Sequence, residues 1–373
     1  MKKVLFVATV VQKHINVFHL PALKMLQEDG YRTYVAAAND TDSKHVKISY
    51  CDEYVEIVFK RSPLHPGNVS AYRKLKDLIQ SNDFDIIHCH TPVGGLLTRL
   101  AARKVRKKGT RVFYTAHGFH FYKGAPLKNW LFYYPVEKIC SYFTDVLITI
   151  NQEDYELAKN KFKAKAVHYV PGVGIDLSRF ENIKVDRNVK RREIGVPEDA
   201  VLLLSVGELN ENKNHHVIIR ALAKLNNPKI HYAIAGIGNK RDYLFELAKR
   251  LGVSDQVHLL GFRKDIPELN YVSDIFCFPS IREGLPVSLM EAAALGLPMV
   301  AADNRGTREI IKNGKSGFLF KYGSVNDFAD GINILVNSKE VCDGYSEMAK
   351  SLVYKFSVEN VLFALRDLYS SLN

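Results

Sequence analysis

The sequence predicts the α/β class, with two doubly wound parallel sheets in succession, each covered by helices on both faces. Three observations predict it: short apolar runs recur along the chain, helical spacing separates them, and a Gly/Pro cluster divides them into two series. The runs are rich in β-branched residues and fall near 3–9, 32–37, 54–59, 85–89, 111–115, 145–150 and 167–170. They recur near 201–206, 230–235, 257–260, 274–278, 298–302 and 317–320. A strand buried on both faces reads as a nearly continuous apolar run, the mark of a parallel sheet. Most intervening segments, such as 214–225, space their apolar residues by 3 and 4, as a helix does. Alternation of the two is the α/β pattern.

The division is Pro171-Gly172-Val173-Gly174-Ile175-Asp176, a Gly/Pro cluster that reads as a linker and places the domain boundary near 171–180. A polar, charged stretch over 181–200 follows it. A length of 373 residues suits about two to three domains. The expected domains are 1–172 and 173–356. Beyond residue 324 the pattern is helical to the end, and one place for the last helix, about 357–373, is back on the first domain.

Composition narrows the class. Hydrophobic residues make up 47% and charged ones 25%, which excludes disordered, collagen-like and coiled-coil chains. No apolar run approaches the roughly 18 residues of a membrane span. The opening Met-Lys-Lys and Val4–Val11 lack a cleavage site, since Gln12-Lys13-His14 follows, and read as a buried first strand. Five scattered cysteines, an odd number without a CxxC pair, suit a reducing cytoplasm. Net charge is +12, of which residues 1–180 carry +11 and 181–373 carry +1. Anionic lipid, a phosphorylated substrate or nucleic acid would suit such a surface. No nucleic-acid-binding motif accompanies the charge, so nucleic acid is excluded.

Two doubly wound halves suggest nucleotide binding, yet the usual fingerprints are missing. The loop after the first strand, 8–14, has no glycine, and no GxxxxGK[ST] occurs. Gly236-Ile237-Gly238 follows a strand, but GxG alone is weak. The informative segment is Pro279–Gly296, where strand 274–278 enters a loop and a helix begins at Pro286, read as its first residue. Gly284 lets a ligand approach the backbone. The free N–H groups around Leu285, Val287 and Ser288 make an anion site at the helix start. Glu283 and Glu291 flank it, and carboxylates accept paired hydroxyls as sugar and ribose recognition requires. Either glutamate alone reads as a helix complement; the pair at this spacing reads as a site for a nucleoside-diphosphate sugar.

With that segment in place, the chain resembles the retaining glycosyltransferases of family 4, of GT-B fold, over essentially its whole length. Glu283-x7-Glu291 is the family's main signature. His88–Gly95, Thr115–Phe119, Val206–Lys213, Ala235–Gly238 and Asn304–Glu309 extend the match. The resemblance is closest to capsular and exopolysaccharide enzymes. It implies two Rossmann-like domains facing a cleft and a C-terminal helix returning to the N-terminal, acceptor-side domain. Glu291 would hold the ribose, Glu283 a hydroxyl of the transferred sugar, and Gly284, Leu285, Pro286 and Val287 the phosphates and sugar. Lys213 would contact the diphosphate, and His117 would reach the donor sugar from the first domain. The family's arginine after the glycine is replaced by Glu208, so Arg263, Arg282 and Arg305 are candidates to complete the phosphate site.

The implied transfer needs no cofactor and no divalent metal, which agrees with the lack of a DxD motif. His88 and His90 share one strand face, and metal ligation there lacks a third ligand at readable spacing. These two, like His14 and His19, are read as structural. Nine aromatics between Phe119 and Phe143, with the basic run from Arg99 to Lys108, suggest a first domain that meets anionic membrane at its inner face. The implied partners are a UDP-sugar donor and a polyprenyl-diphosphate-linked saccharide acceptor. A sugar-nucleotide epimerase, which uses the same fold, is the alternative; free nucleotide released only when acceptor is present distinguishes transfer.

Overall fold

The computed structural model describes residues 1–41, 43, 46–60 and 62–370. In the first sheet β1 (Lys3–Val10), β2 (Arg32–Ala38), β3 (Glu53–Glu56), β4 (Ile86–His90), β5 (Arg111–Ala116), β6 (Val146–Thr149) and β7 (Ala166–Tyr169) are all parallel. They lie in the order β3-β2-β1-β4-β5-β6-β7. In the second, β8 (Val201–Val206), β9 (Ile230–Ala235), β10 (Val257–Gly261), β11 (Ile275–Phe278), β12 (Met299–Ala302) and β13 (Gly317–Phe320) follow the order β10-β9-β8-β11-β12-β13. Each sheet reverses its winding once, between β1 and β4 and between β8 and β11.

Alternation along the strands shows why both faces are covered. Leu5 and Val7 join a core with the Gly67–Gln80 and Pro92–Ala101 helices, while Val4, Phe6 and Ala8 join the opposite one with the Leu20–Glu28 helix. In the second sheet Leu202 and Leu204 face one core and Leu203 the other. Aspartates set the register. Asp52, Asp85, Asp145 and Asp274 stand just before β3, β4, β6 and β11, and each accepts an N–H from the start of the neighbouring strand.

Two compact units result, one of Met1–Gly174 with Val358–Asn373, the other of Ile175–Ser357. The returning helix, Val358–Ser370, buries Val361, Leu368 and Tyr369 beside Val4 and Phe6; residues 371–373 of the expected 357–373 segment lie outside the described residues.

One expectation fails in part because of a buried arginine, and a second buried arginine lies in the polar 181–200 stretch. It holds the Arg187–Glu193 helix, whose Arg191 is 2% exposed and bonds Asp274 at 2.6 Å and the carbonyls of Val272, Glu198 and Ala200. Arg99 does not belong to the expected basic surface. It is buried over the Tyr114 ring and paired with Glu137 at 2.8 Å, and Tyr114 donates to the same carboxylate. Arg106 is tied to Asp145, which leaves Arg103, Lys104, Lys107 and Lys108 exposed in that run.

Of the nine aromatics, Phe119 and Phe121 are buried, and Trp130, Tyr133 and Tyr134 pack on that core. Phe132 and Tyr142 are exposed, as are Leu127, Leu131 and Ile139 on the same Leu127–Ser141 helix. An isolated Arg99 would be an uncompensated buried charge, so Glu137→Ala should destabilise the first unit by about 3–5 kcal/mol in urea unfolding. A loss under about 1 kcal/mol would contradict the pairing's role.

Candidate donor site and a histidine cluster

In the second unit, the carboxyl ends of β8 and β11 meet at the winding reversal, where open α/β sheets bind ligands. The loop after β8 and the loop after β11 are bonded to one another. Ile281 donates its N–H to Asn212 O at 2.8 Å, and the Asn212 amide donates to Arg282 O at 3.0 Å. Lys213 and Glu283 complete the join, Nζ to Oε1 at 2.8 Å, with both side chains mostly buried and the ammonium 4.9 Å from the Phe278 ring centre.

Glycines make this approach possible. A Cβ on Gly236 would lie 1.9 Å from Gly207 O, and one on Gly238 2.3 Å from Leu209 O. The GxG is therefore a packing device beneath the Lys213 loop. Gly306 does the same for the other loop, since its Cβ would fall 2.9 Å from that of Glu283. Asn304 caps the short helix there, and its amide donates to Ser280 O at 2.9 Å.

Pro286 is the N-cap rather than the first residue of the helix, which runs Val287–Ala294. Its φ of −80° and ψ of 114° are extended, so the helix opens one residue later than its sequence suggests. The first N–H groups of any helix lack intrahelical partners, and here they open onto Gly284–Pro286. Ser288 Oγ bonds Val206 O at 3.3 Å, tying this helix to the end of β8. Glu291, in the helix's second turn, is mostly buried. Burial raises its carboxyl above the ordinary range, opposed by Arg179, whose guanidinium is 3.8 Å away. Sequence reasoning missed Arg179; it sits in a one-turn helix just past the Gly/Pro division and carries no local pattern.

The expected arginines fare differently. Arg263 is engaged with Asp265 at 2.8 Å and Glu193 at 2.6 Å, in a network that includes Lys190. Its place in the phosphate site is therefore unsupported, because two carboxylates already neutralise it. Arg282 is exposed. Arg305 directs Nε to Glu283 O at 3.4 Å, a contact to the loop backbone. Glu208 is exposed and accepts from Asn210 at 2.8 Å, so it turns away from Lys213.

In the first unit, His117 follows β5, half-buried, with Nε2 3.3 Å from Nδ1 of His90. His14 and His19 join them, and one ring nitrogen from each of the four lies within 4.8 Å of the others. A third and a fourth potential ligand thus exist beside His90, contrary to what spacing showed, because the fold and not the sequence interval brings them together. His88 stands apart. Its Nδ1 meets Tyr369 OH at 2.5 Å and its Nε2 meets Thr115 Oγ1 at 2.8 Å.

Comparison with known proteins accords with this architecture. Residues 3–151 match the family described as glycosyl transferase 4-like, and residues 186–352 match glycosyl transferases group 1. A putative glycosyltransferase of Bacillus subtilis, EpsD, is 42% identical over 99% of this chain and 97% of its own length. An Escherichia coli enzyme, UDP-Gal:alpha-D-GlcNAc-diphosphoundecaprenol alpha-1,3-galactosyltransferase, is 26% identical over 86% of this chain and 85% of its own. Among solved structures, Anabaena HepE in complex with UDP superposes with a TM-score of 0.81 at 20% identity, covering both chains in full. WaaG, a glycosyltransferase of lipopolysaccharide biosynthesis, gives 0.76 at 17%, covering 98% of this chain and 99% of that one. Two six- and seven-stranded parallel sheets of this topology and a full-length relative of that identity make the chain a glycosyltransferase of the family 4 type, with the GT-B fold.

Proposed function

We propose that this enzyme is a retaining glycosyltransferase that moves a hexose or N-acetylhexosamine from a UDP-sugar to a hydroxyl of a polyprenyl-diphosphate-linked saccharide, in capsule or exopolysaccharide assembly. The observation that carries this reading is the Lys213–Glu283 pair at the winding reversal, with Glu291 in the second turn of the helix that opens beside it. Glu291 accepts the ribose hydroxyls. Lys213 and the N–H groups at the start of the Val287–Ala294 helix neutralise the departing diphosphate, so a bridging metal is not needed there. Glu283, released from Lys213 as the ammonium turns to phosphate, accepts a hydroxyl of the sugar. Gly284, Leu285 and Pro286 shape the loop around it. His117 serves the sugar from the acceptor-side domain, residues 1–172 with the terminal helix; 173–356 form the donor domain.

HepE's complex with UDP and the diphosphoundecaprenol acceptor in the E. coli relative's name support the donor and the acceptor. The exposed Leu127, Leu131, Phe132 and Ile139 support a peripheral location at the inner face of the membrane. Lys123 and Lys128 beside them, with Arg103, Lys104, Lys107 and Lys108, supply the cationic part of an interfacial helix. No helix among the described residues is long and apolar enough to cross a membrane.

Lys213→Ala should lower kcat roughly 10²–10³-fold, the usual cost of a lost transition-state charge contact, in an assay of UDP release that depends on added acceptor. UDP released equally without acceptor would defeat the transfer reading. Glu291→Gln should weaken UDP binding by roughly 10–100-fold in calorimetry. The same change should raise the melting temperature at pH 7, because ionising the buried carboxyl costs stability above its raised pKa. That gain should close as pH falls towards about 4.3, the unfolded value, where both states are protonated. Unaltered UDP affinity would remove Glu291 from the site. Vesicles containing anionic lipid should float the wild type and lose the Leu131→Glu/Phe132→Glu variant; binding indifferent to lipid charge would refute the membrane reading.

A further inference from the structure

The winding reversal of the first sheet gathers four imidazoles, and of these the transfer chemistry calls only for His117. β1 runs into a π-helical turn, Val11–Ile15, which carries His14, and the chain bends back to His19. π-helical turns are rare and are frequently found at functional sites. His90 ends β4, and the next residue, Thr91, has φ 64° and ψ 151°, a costly backbone for a β-branched side chain. Thr9 Oγ1 donates to Thr91 Oγ1 at 2.6 Å and fixes that corner. His117 arrives from β5.

The rings are crowded, with His19 and His90 centred 3.9 Å apart and His14 and His19 4.9 Å apart. Apolar side chains would fill this space without stranding polar atoms. Instead Nε2 of His14, of His19 and of His90 is buried without a partner among the described residues, and His19 and His90 are only 4% and 2% exposed. Buried polar atoms are nearly always satisfied, so three orphans in one place call for one common partner. That partner must be small, because the adjoining cavity, lined by His19, His88, His90, Thr115, His117 and Tyr369 among others, measures about 30 Å³. This is room for one water or one bare ion.

We propose that His14, His19, His90 and His117 together bind one divalent transition-metal ion, zinc by their ligand chemistry. Imidazole nitrogens suit zinc, copper and nickel, whereas magnesium and calcium take oxygen ligands. Neutral imidazole, the ligating form, offers one lone pair per ring. On a tetrahedral ion with bonds of about 2.0–2.1 Å, neighbouring nitrogens stand about 3.4 Å apart. The four ring nitrogens, one from each residue and all within 4.8 Å of one another, need close in only modestly to reach that spacing. Four protein ligands make a closed, structural coordination that ties the ends of β1, β4 and β5. His117 contributes one ring nitrogen, which leaves the other for the sugar. His88, both of whose nitrogens are used, is a wall residue and not a ligand.

The full chain, expressed without a histidine tag and purified without chelator, should carry one zinc per molecule by elemental analysis. Cobalt substitution should give the intense visible bands of a four-coordinate, nitrogen-ligated ion. Chelation should lower the melting temperature, and zinc should restore it. His19→Ala and His90→Ala should each weaken zinc binding by more than the roughly 10–100-fold that loss of an outer-shell partner costs. His14→Gln, in a partly exposed turn, repeats the test if those variants fold poorly, and His258→Ala should retain the ion. A wild type that takes up no zinc or cobalt, or an ion kept by the folded cluster variants, overturns the proposal. UDP binding measured on the same samples separates the two readings, since a zinc-free chain that still binds UDP loses only this one.

Discussion

The geometry of the candidate site in the second unit depends on one constraint, the contact between two loops at the reversal of winding in its sheet. β8 and β11 are neighbours whose following chains leave in opposite directions, so two loops meet at their carboxyl ends. Backbone polar groups at such a meeting must find partners. They find them across the two loops, through Ile281 N–H to Asn212 O and the side-chain amide of Asn212 to Arg282 O. Loops bonded this closely leave no room for Cβ atoms beneath them, which is why positions 236, 238 and 306 are glycine. Lys213 and Glu283 meet only because those bonds have already placed their Cα atoms.

Electrostatics follows from the same packing. Lys213 and Glu283 neutralise each other while both are mostly buried, and Glu291 has the more distant, half-exposed Arg179. The two carboxylates are therefore unequal. One is fully paired, and the other is left with its charge incompletely compensated and its proton affinity raised by burial. An incompletely satisfied buried acceptor is well suited to hydroxyl donors, because a ligand hydroxyl relieves a cost the folded chain already carries. Glu208, by contrast, faces solvent with Asn210, so its negative charge is screened from the same crevice.

How much of this was legible along the chain depended on the range of the interaction. The central strands were legible because a strand buried on both faces has no polar alternation to blur it. The half-buried edge strands β3, β7 and β10 were legible because their runs are still rich in β-branched and aromatic residues or leucine. The Glu283–Glu291 segment was legible because its meaning is local, a strand end, a glycine and a helix start within eighteen residues. Arg191 and Arg99 were not, since a buried arginine differs from a solvated one only in a partner far away, Asp274 or Glu137. Pro286 misled by one residue because proline's φ suits both the N-cap and the first helical turn. The four histidines defeated spacing altogether. Intervals of 5, 71 and 27 residues have no meaning until β1, β4 and β5 lie side by side.

The two units thus use one topological feature in opposite electrostatic styles. The second, nearly neutral by composition, concentrates formal charges at its reversal. The first carries almost all of the chain's positive excess yet lines its own reversal with imidazoles that burial keeps uncharged. Its cations lie elsewhere, on exposed positions such as Arg103, Lys104, Lys107, Lys108, Lys123 and Lys128. Charge spread over a solvated surface acts at a distance of about a Debye length and selects extended anionic partners; charge placed in a crevice acts on a single small one. The excess in the first unit therefore bears on what surface that unit approaches, and the chemistry at the end of its strands has to be argued from nitrogen lone pairs instead.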